Sequence, residues 1–160
     1  MIKIKINRCK EFILHIKKFT TAKLMKKTKE KDHYIKEIFK LEEAGEKVTV
    51  SALSKLFKVS KSSVSNMLKK LSLMELVDTS PYKPIKLTSK GRKFAKEVVA
   101  KHRLIESFLV EVMQFSPNEV HEIAEEIEHI NSPVFFSKVR KMLKQDTTDP
   151  HGSNIPKTDF

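Results

Sequence analysis

One cysteine, three glycines and no tryptophan occur in the 160 residues. A lone Cys9 excludes an internal disulfide framework and any thiolate-rich zinc site. It fits a reducing cytoplasm, which is the expected location. So few glycines leave little material for the many turns of a sandwich or barrel. No run of about 18 apolar residues is present to span a bilayer. The apolar residues near the start (Ile2, Ile4, Ile6, then Phe12, Ile13 and Leu14) are broken by Lys3, Lys5, Arg8 and Lys10, unlike the apolar region of a signal peptide. Neither a membrane partner nor a small organic cofactor is expected.

What is abundant is Leu, Ile, Lys and Glu, and 39% of the chain is hydrophobic, enough for one or two compact cores. The expectation is a mainly α protein. Its net charge of +12 is unevenly spread. Residues 1–31 hold 11 Lys and Arg against 2 acids, and residues 46–96 hold 12 against 3. Residues 97–160 reverse the balance, with 7 against 11. A basic half followed by an acidic half suits a chain whose first part meets a polyanion and whose second part gathers cations. The basic extension, residues 1–25, has three readings: an amphipathic helix, an arm that reaches phosphates, or a disordered segment, with Met25 as a second candidate start.

Tyr34, Ile35, Ile38, Phe39 and Leu41 recur at helical spacing, predicting a helix over 32–44 that stops at Gly45. Val50, Leu53, Leu56 and Phe57 mark a short second helix, and Val59-Ser60 the turn into a third over 61–73. In that third helix Val64, Met67, Leu68 and Leu71 share one arc at about 100° per residue. Lys61, Ser62, Ser65, Asn66 and Lys69 share the opposite one. A free face of hydroxyls, an amide and lysines without an acid suits the major groove. Leu76-Val77-Asp78 and Ile85-Lys86-Leu87-Thr88 alternate as strands around Ser80-Pro81-Tyr82-Lys83-Pro84, which reads as a wing. The expected DNA contacts are Lys61, Ser62, Ser63, Ser65, Asn66 and Lys69, with Lys83 on the wing.

A long helix then runs to about Met113, with Phe94, Val98, Ile105, Leu109 and Val112 on one stripe. His102 and Glu106 stand one turn apart beside it. Ser116-Pro117-Asn118-Glu119 reads as a capping box that opens another helix. In it His121, Glu125, Glu128 and His129 occupy an arc of about 100°, opposite Ile123, Ile127 and Ile130. Two imidazoles and two carboxylates on one face suit a divalent cation of borderline to hard character, and the scarcity of sulfur disfavours copper(I) or a cluster. A solvated, Glu-rich surface is the plainer alternative.

Leu87-Thr88-Ser89-Lys90-Gly91, His102-Arg103-Leu104-Ile105-Glu106, Glu119-Val120-His121-Glu122, Glu125-Glu126-Ile127-Glu128-His129 and the tail Asp149-Pro150-His151-Gly152-Ser153-Asn154-Ile155-Pro156 form an ordered series. Together they resemble the diphtheria toxin repressor and manganese transport regulator family over about residues 30–156. The resemblance implies a winged helix-turn-helix over 26–90, followed by a helical metal-binding and dimerisation domain over 91–160. It implies a homodimer that binds a palindromic operator when manganese(II) or iron(II) is bound, represses metal-uptake genes and is not an enzyme. It further implies that His102, Glu125, Glu128 and His129 are metal-site residues, that Glu106 and His121 belong to a neighbouring ancillary site, and that His33 stands where the first helix supplies Asp or Met. Glu125, an oxygen ligand where iron-responsive members tend to carry cysteine, favours manganese, with iron the alternative. Lys36 departs from the pattern, standing where one manganese-responsive branch places a second carboxylate. No segment matches the barrel-like third domain of longer members. A winged-helix regulator that ignores metal is the rival reading.

Overall fold

A computed structural model describes residues 29–144 and 147–159; the basic extension lies outside them. The order is α1 (residues 29–43), α2 (Val50–Phe57), α3 (Lys61–Leu73), β1 (Val77–Asp78), β2 (Lys86–Leu87), α4 (Ser89–Glu111), α5 (Val120–Ile127) and α6 (Pro133–Met142). This is the mainly α winged helix-turn-helix followed by a helical unit that the periodicity led us to expect.

Local chemistry sets most boundaries. The chain leaves α1 through Gly45 at φ +73°, a conformation glycine adopts without a Cβ clash. Thr49 caps α2 by accepting from the Ala52 amide at 3.1 Å, and Ser60 caps α3 by accepting from Ser63 at 3.1 Å. Between them Lys58 takes up a left-handed conformation, φ 54°, which turns the chain sharply enough for the two helices to pack. In the wing Val77 faces Leu87 and Asp78 faces Lys86 across a two-stranded antiparallel ladder. Asp78 accepts from the Ser80 amide and hydroxyl at 3.0 and 2.7 Å, shaping the approach to the tip.

Ile35, Ile38, Leu53, Val64, Leu71, Val77 and Leu87 form one core together with Ala95 and Val99 of α4. A second core begins at Ala100 of the same helix and continues through Leu104, Ile105, Val120, Ala124, Phe136 and Ile155. The two cores therefore divide inside α4, between Val99 and Ala100, and one helix of 23 residues serves both. Gly91 lets α4 approach the wing: a Cβ there would lie 1.8 Å from the Leu76 carbonyl oxygen.

Some expectations need correction. The residues after α4 form a turn, and α5 begins only at Val120. Half of the capping box is present, the Ser116 amide donating to Glu119 Oε2 at 3.1 Å, while the Glu119 amide turns back to the Ser116 carbonyl. Consequently α5 buries Val120 and Ala124, leaves Ile123 and Ile127 half-buried, and places Ile130 beyond its end, where it is exposed. Leu56 and Val112, read as packing residues, are also exposed. The sequence reading assigned nothing to α6, although Ser132-Pro133 is a helix start: the Ser132 hydroxyl accepts from Phe135.

Candidate metal centre and nucleic-acid interface

α4 presents His102 and Glu106 on one side of a single turn, both almost fully buried, and α5 lays His121 across them. His102 Nε2 is 3.0 Å from Glu106 Oε1, His121 Nδ1 is 3.1 Å from the same oxygen, and the two nitrogens are 3.2 Å apart. Three donors thus form a nearly equilateral triangle. An octahedral face of that edge length corresponds to metal–ligand bonds of about 2.2 Å, in the range for manganese(II) and similar six-coordinate divalent ions. The donors fit such an ion, and a cleft of about 730 Å³ lined by Lys40, Glu43, His151 and Asn154 opens beside them.

The other ring nitrogen of His102 donates to Glu128 Oε2 at 2.6 Å. This carboxylate–histidine arrangement fixes the ring and raises its basicity as a ligand. Burial opposes charge on His102, but the hydrogen bonds to Glu106 and Glu128 outweigh it and raise its pKa above the ordinary 6.5. Burial likewise pushes Glu106 up, yet hydrogen bonds and charge from His102 and His121 hold it down at about 2. The ring of His102 therefore holds the Glu106 and Glu128 carboxylates together.

His102, Glu125 and Glu128 form a second group whose donor atoms lie within 4.8 Å of one another. Helix α1 closes over it with three side chains, Asp32, His33 and Lys36. His33 Nδ1 stands 3.6 Å from Glu125 Oε2, with its ring 5.2 Å from that of Phe57 at the end of α2. Lys36, fully buried, donates to Glu128 Oε1 and Oε2 at 3.0 and 3.1 Å and makes a very short contact with Glu125 Oε1. Asp32, also buried, accepts from His129 Nδ1 at 3.1 Å, leaving His129 Nε2 3.8 Å from Glu128 Oε1. Burial raises the Glu125 pKa, but hydrogen bonds from His33 and Lys36 outweigh it and leave the group well below the usual carboxylate range.

All seven sequence-predicted metal residues therefore gather in one region, with His129 turned toward Asp32 rather than into either triad. Asp32, the burial of Lys36 and the role of Arg103 escaped the sequence reading. Arg103 ties the C-terminal loop to α1 and α4, donating to Glu43 Oε2 at 2.9 Å and to the Asn154 carbonyl, with Asp149 Oδ2 at 3.5 Å. His-Arg-x-x-Glu spacing places Arg103 next to a candidate ligand, which was the available signal.

Of the expected DNA contacts, Lys61, Ser62, Ser63, Asn66, Lys69 and Lys83 are exposed and Ser65 is half-buried. The Ser60 hydroxyl shares hydrogen bonds with those of Ser62 and Ser63 at 2.8 and 2.9 Å, so hydroxyls cluster at the start of α3, where backbone amides favour an anion. A groove of about 670 Å³ separates α3 from the wing, lined by Ser65, Lys69, Tyr82 and Lys83. Tyr82, at φ 62° and fully exposed on the tip, is a candidate contact the sequence reading passed over.

The iron-dependent repressor N-terminal DNA-binding domain matches residues 26–85, and the iron-dependent repressor metal-binding and dimerisation domain matches residues 88–157. The chain belongs to the iron-dependent repressor family. Within this family it is 32% identical over 123 residues to the iron-dependent repressor IdeR of Mycobacterium leprae, covering 77% of this chain and 54% of that protein. An HTH-type transcriptional regulator of Methanocaldococcus jannaschii is 30% identical over 115 residues, covering 71% of this chain and 92% of that one. The solved structure of the manganese regulator SloR superposes with a TM-score of 0.70 at 38% identity, over 79% of this chain and 59% of that chain. The repressor-family chain thus spans about half the length of the IdeR relative it matches. Also similar, at 45% identity over 71 residues, is a probable metal transport system membrane protein of Chlamydia trachomatis, over 44% of this chain and 16% of that protein. Among the described residues no helix is long and apolar enough to cross a membrane.

Proposed function

We propose that this chain is a metal-dependent transcriptional repressor. As a cytoplasmic homodimer it binds a palindromic operator at metal-uptake genes when manganese(II), or alternatively iron(II), occupies its His/Glu cluster. The observation that carries the reading is the triangle of His102, Glu106 and His121, with edges of 3.0 to 3.2 Å, joined through His102 to Glu128. Oxygen and imidazole donors without sulfur favour manganese among the ions the family takes. Similarity to a metal-transport membrane protein supports metal uptake as the regulated process.

The bound ion supplies positive charge that the imidazole protons supply in its absence. The residues then act as follows. His102 gives up its Nε2 proton and keeps the Nδ1–H bond to Glu128. His121 moves its proton to Nε2, which faces Glu125 Oε1 at 3.7 Å. Glu125, Glu128, His129 and His33 form the second set. His33 belongs to α1 and touches Phe57 of the helix-turn-helix, so it links the cluster to the element that carries α3. An ion that binds better when α1 is docked selects that arrangement, and coupling of this kind is typically about 1–3 kcal/mol. Residues 26–90 meet DNA through Lys61, Ser62, Ser63, Ser65, Asn66, Lys69 and Lys83, and residues 91–160 hold metal and the dimer contact.

The test is binding to a palindromic operator beside a metal-transporter gene, in chelated buffer and then with manganese(II) or iron(II). Binding expected only with metal, and weakened in His33→Ala without loss of the dimer, supports the reading. Equal binding in chelator and in metal refutes it.

A further inference from the structure

Among the described residues Lys36 heads the large side chains that are completely buried, and the carboxylates its ammonium pairs with are Glu125 and Glu128. We infer that its ammonium is a tethered cation filling one ion's place between Glu125 and Glu128, and that it thereby holds the cluster to one metal ion fewer per protomer than the donors would otherwise accept. The inference rests on the metal-binding reading above and concerns how many ions that site takes.

The contacts account for the oxygens one by one. Glu128 Oε2 receives His102 Nδ1 of α4 at 2.6 Å and Lys36 Nζ of α1 at 3.1 Å, so it is satisfied by the two helices together. Glu125 Oε1 receives Lys36. Glu128 Oε1 receives Lys36 as well, at 3.0 Å, with His129 3.8 Å away, so the oxygen that remains is Glu125 Oε2, 3.6 Å from His33. An ion has a place on that side and another at the His102–Glu106–His121 triangle. A third, between the two carboxylates, coincides with Nζ. Buried Glu128 and half-buried Glu125 need a compensating charge, and removing it leaves them uncompensated at a steep cost. A compact divalent ion with hard oxygen ligands is the available substitute once the lysine is gone. The tether also bonds α1 to α5 without metal, so the linkage that ion binding adds must come from His33 and His129 rather than from this point.

The experiment counts manganese ions per protomer on the full chain, for wild type, Lys36→Gln and Lys36→Glu, by equilibrium dialysis against manganese(II) chloride. Low-temperature electron paramagnetic resonance then reports magnetically coupled pairs. The expected result is one additional ion in each variant, coupled to its neighbour, with Lys36→Glu binding it more tightly because a further carboxylate is present. Equal counts in wild type and in folded variants overturn the role of Lys36. A wild type that takes up no manganese or iron overturns the repressor reading instead. Should both variants fail to fold, acetic anhydride labelling of wild type decides: Lys36 is expected to stay unmodified with and without manganese(II), and its labelling on metal addition would mean that the ion displaces the lysine.

Discussion

Loading the triangle with a cation displaces a proton, and the number of protons follows from the geometry. In the metal-free protein both nitrogens of His102 donate to carboxylates, Glu128 at 2.6 Å and Glu106 at 3.0 Å, so the ring is an imidazolium wherever its raised pKa allows. Coordination through Nε2 requires the neutral ring. Taking the ordinary value of 6.5 as a lower bound, His102 alone releases at least about 0.5 proton per ion at pH 6.5 and at least about 0.9 at pH 5.5. Manganese affinity should therefore fall between about fivefold and tenfold over that pH unit from this residue, and other histidine ligands add to it. Calorimetric titration in two buffers of different ionisation enthalpy measures the protons directly, and His102→Gln should remove this component. Fewer than half a proton released at pH 5.5 would show that His102 does not coordinate through Nε2.

The metal-free protein should respond to pH differently. His102, raised above 6.5, stabilises the fold below that value and loses its contribution as pH rises through the raised pKa; Glu106, held at about 2, contributes above 4.5 and loses it as pH falls toward 2. Thermal melts in chelator should therefore peak between those limits, and a monotonic rise to pH 8 would contradict this pairing. Asp32→Leu should weaken manganese binding by about 10–100-fold through loss of His129 orientation, whereas Asp32→Asn, which keeps an acceptor oxygen, should lose less; equal losses in calorimetry would argue against an orienting hydrogen bond. Lys69→Ala should reduce the slope of log affinity against log salt by about 0.9 per phosphate contact removed, and an unchanged slope takes Lys69 off the DNA. Gly91→Ala must shift α4 from the wing and should lower stability by about 1–3 kcal/mol or more in denaturant melts, with or without metal; wild-type stability would mean that the close approach to Leu76 is not maintained.

The helix-turn-helix was legible because its signals are local. Periodic apolar residues, Ser60 as a cap and the strand pair around Pro81 and Pro84 act within a few residues of one another, and α3 spans Lys61–Leu73, as its pattern indicates. The turn at 116–119 was less legible: a capping box needs both hydrogen bonds to start a helix, and only tertiary packing determines whether both form. Ile130 illustrates the same limit, since its place on an arc says nothing once the helix stops at Ile127. At the site, residue types singled out candidate donors, but the pairing of Asp32 with His129 and the burial of Lys36 join positions more than ninety residues apart, and no spacing rule reaches that far.

The sharing of α4 between two cores has a consequence for inheritance as well as for motion. A helix of 23 residues, about 34 Å long, crosses from the wing to the metal donors without a glycine or proline after Gly91. A break between Val99 and Ala100 would divide the two sets of core residues cleanly, but it falls in mid-helix and removes the backbone hydrogen bonds of the turn that crosses it. The two halves therefore meet inside one continuous helix rather than at a linker, and any exchange of one half has to keep that helix in register.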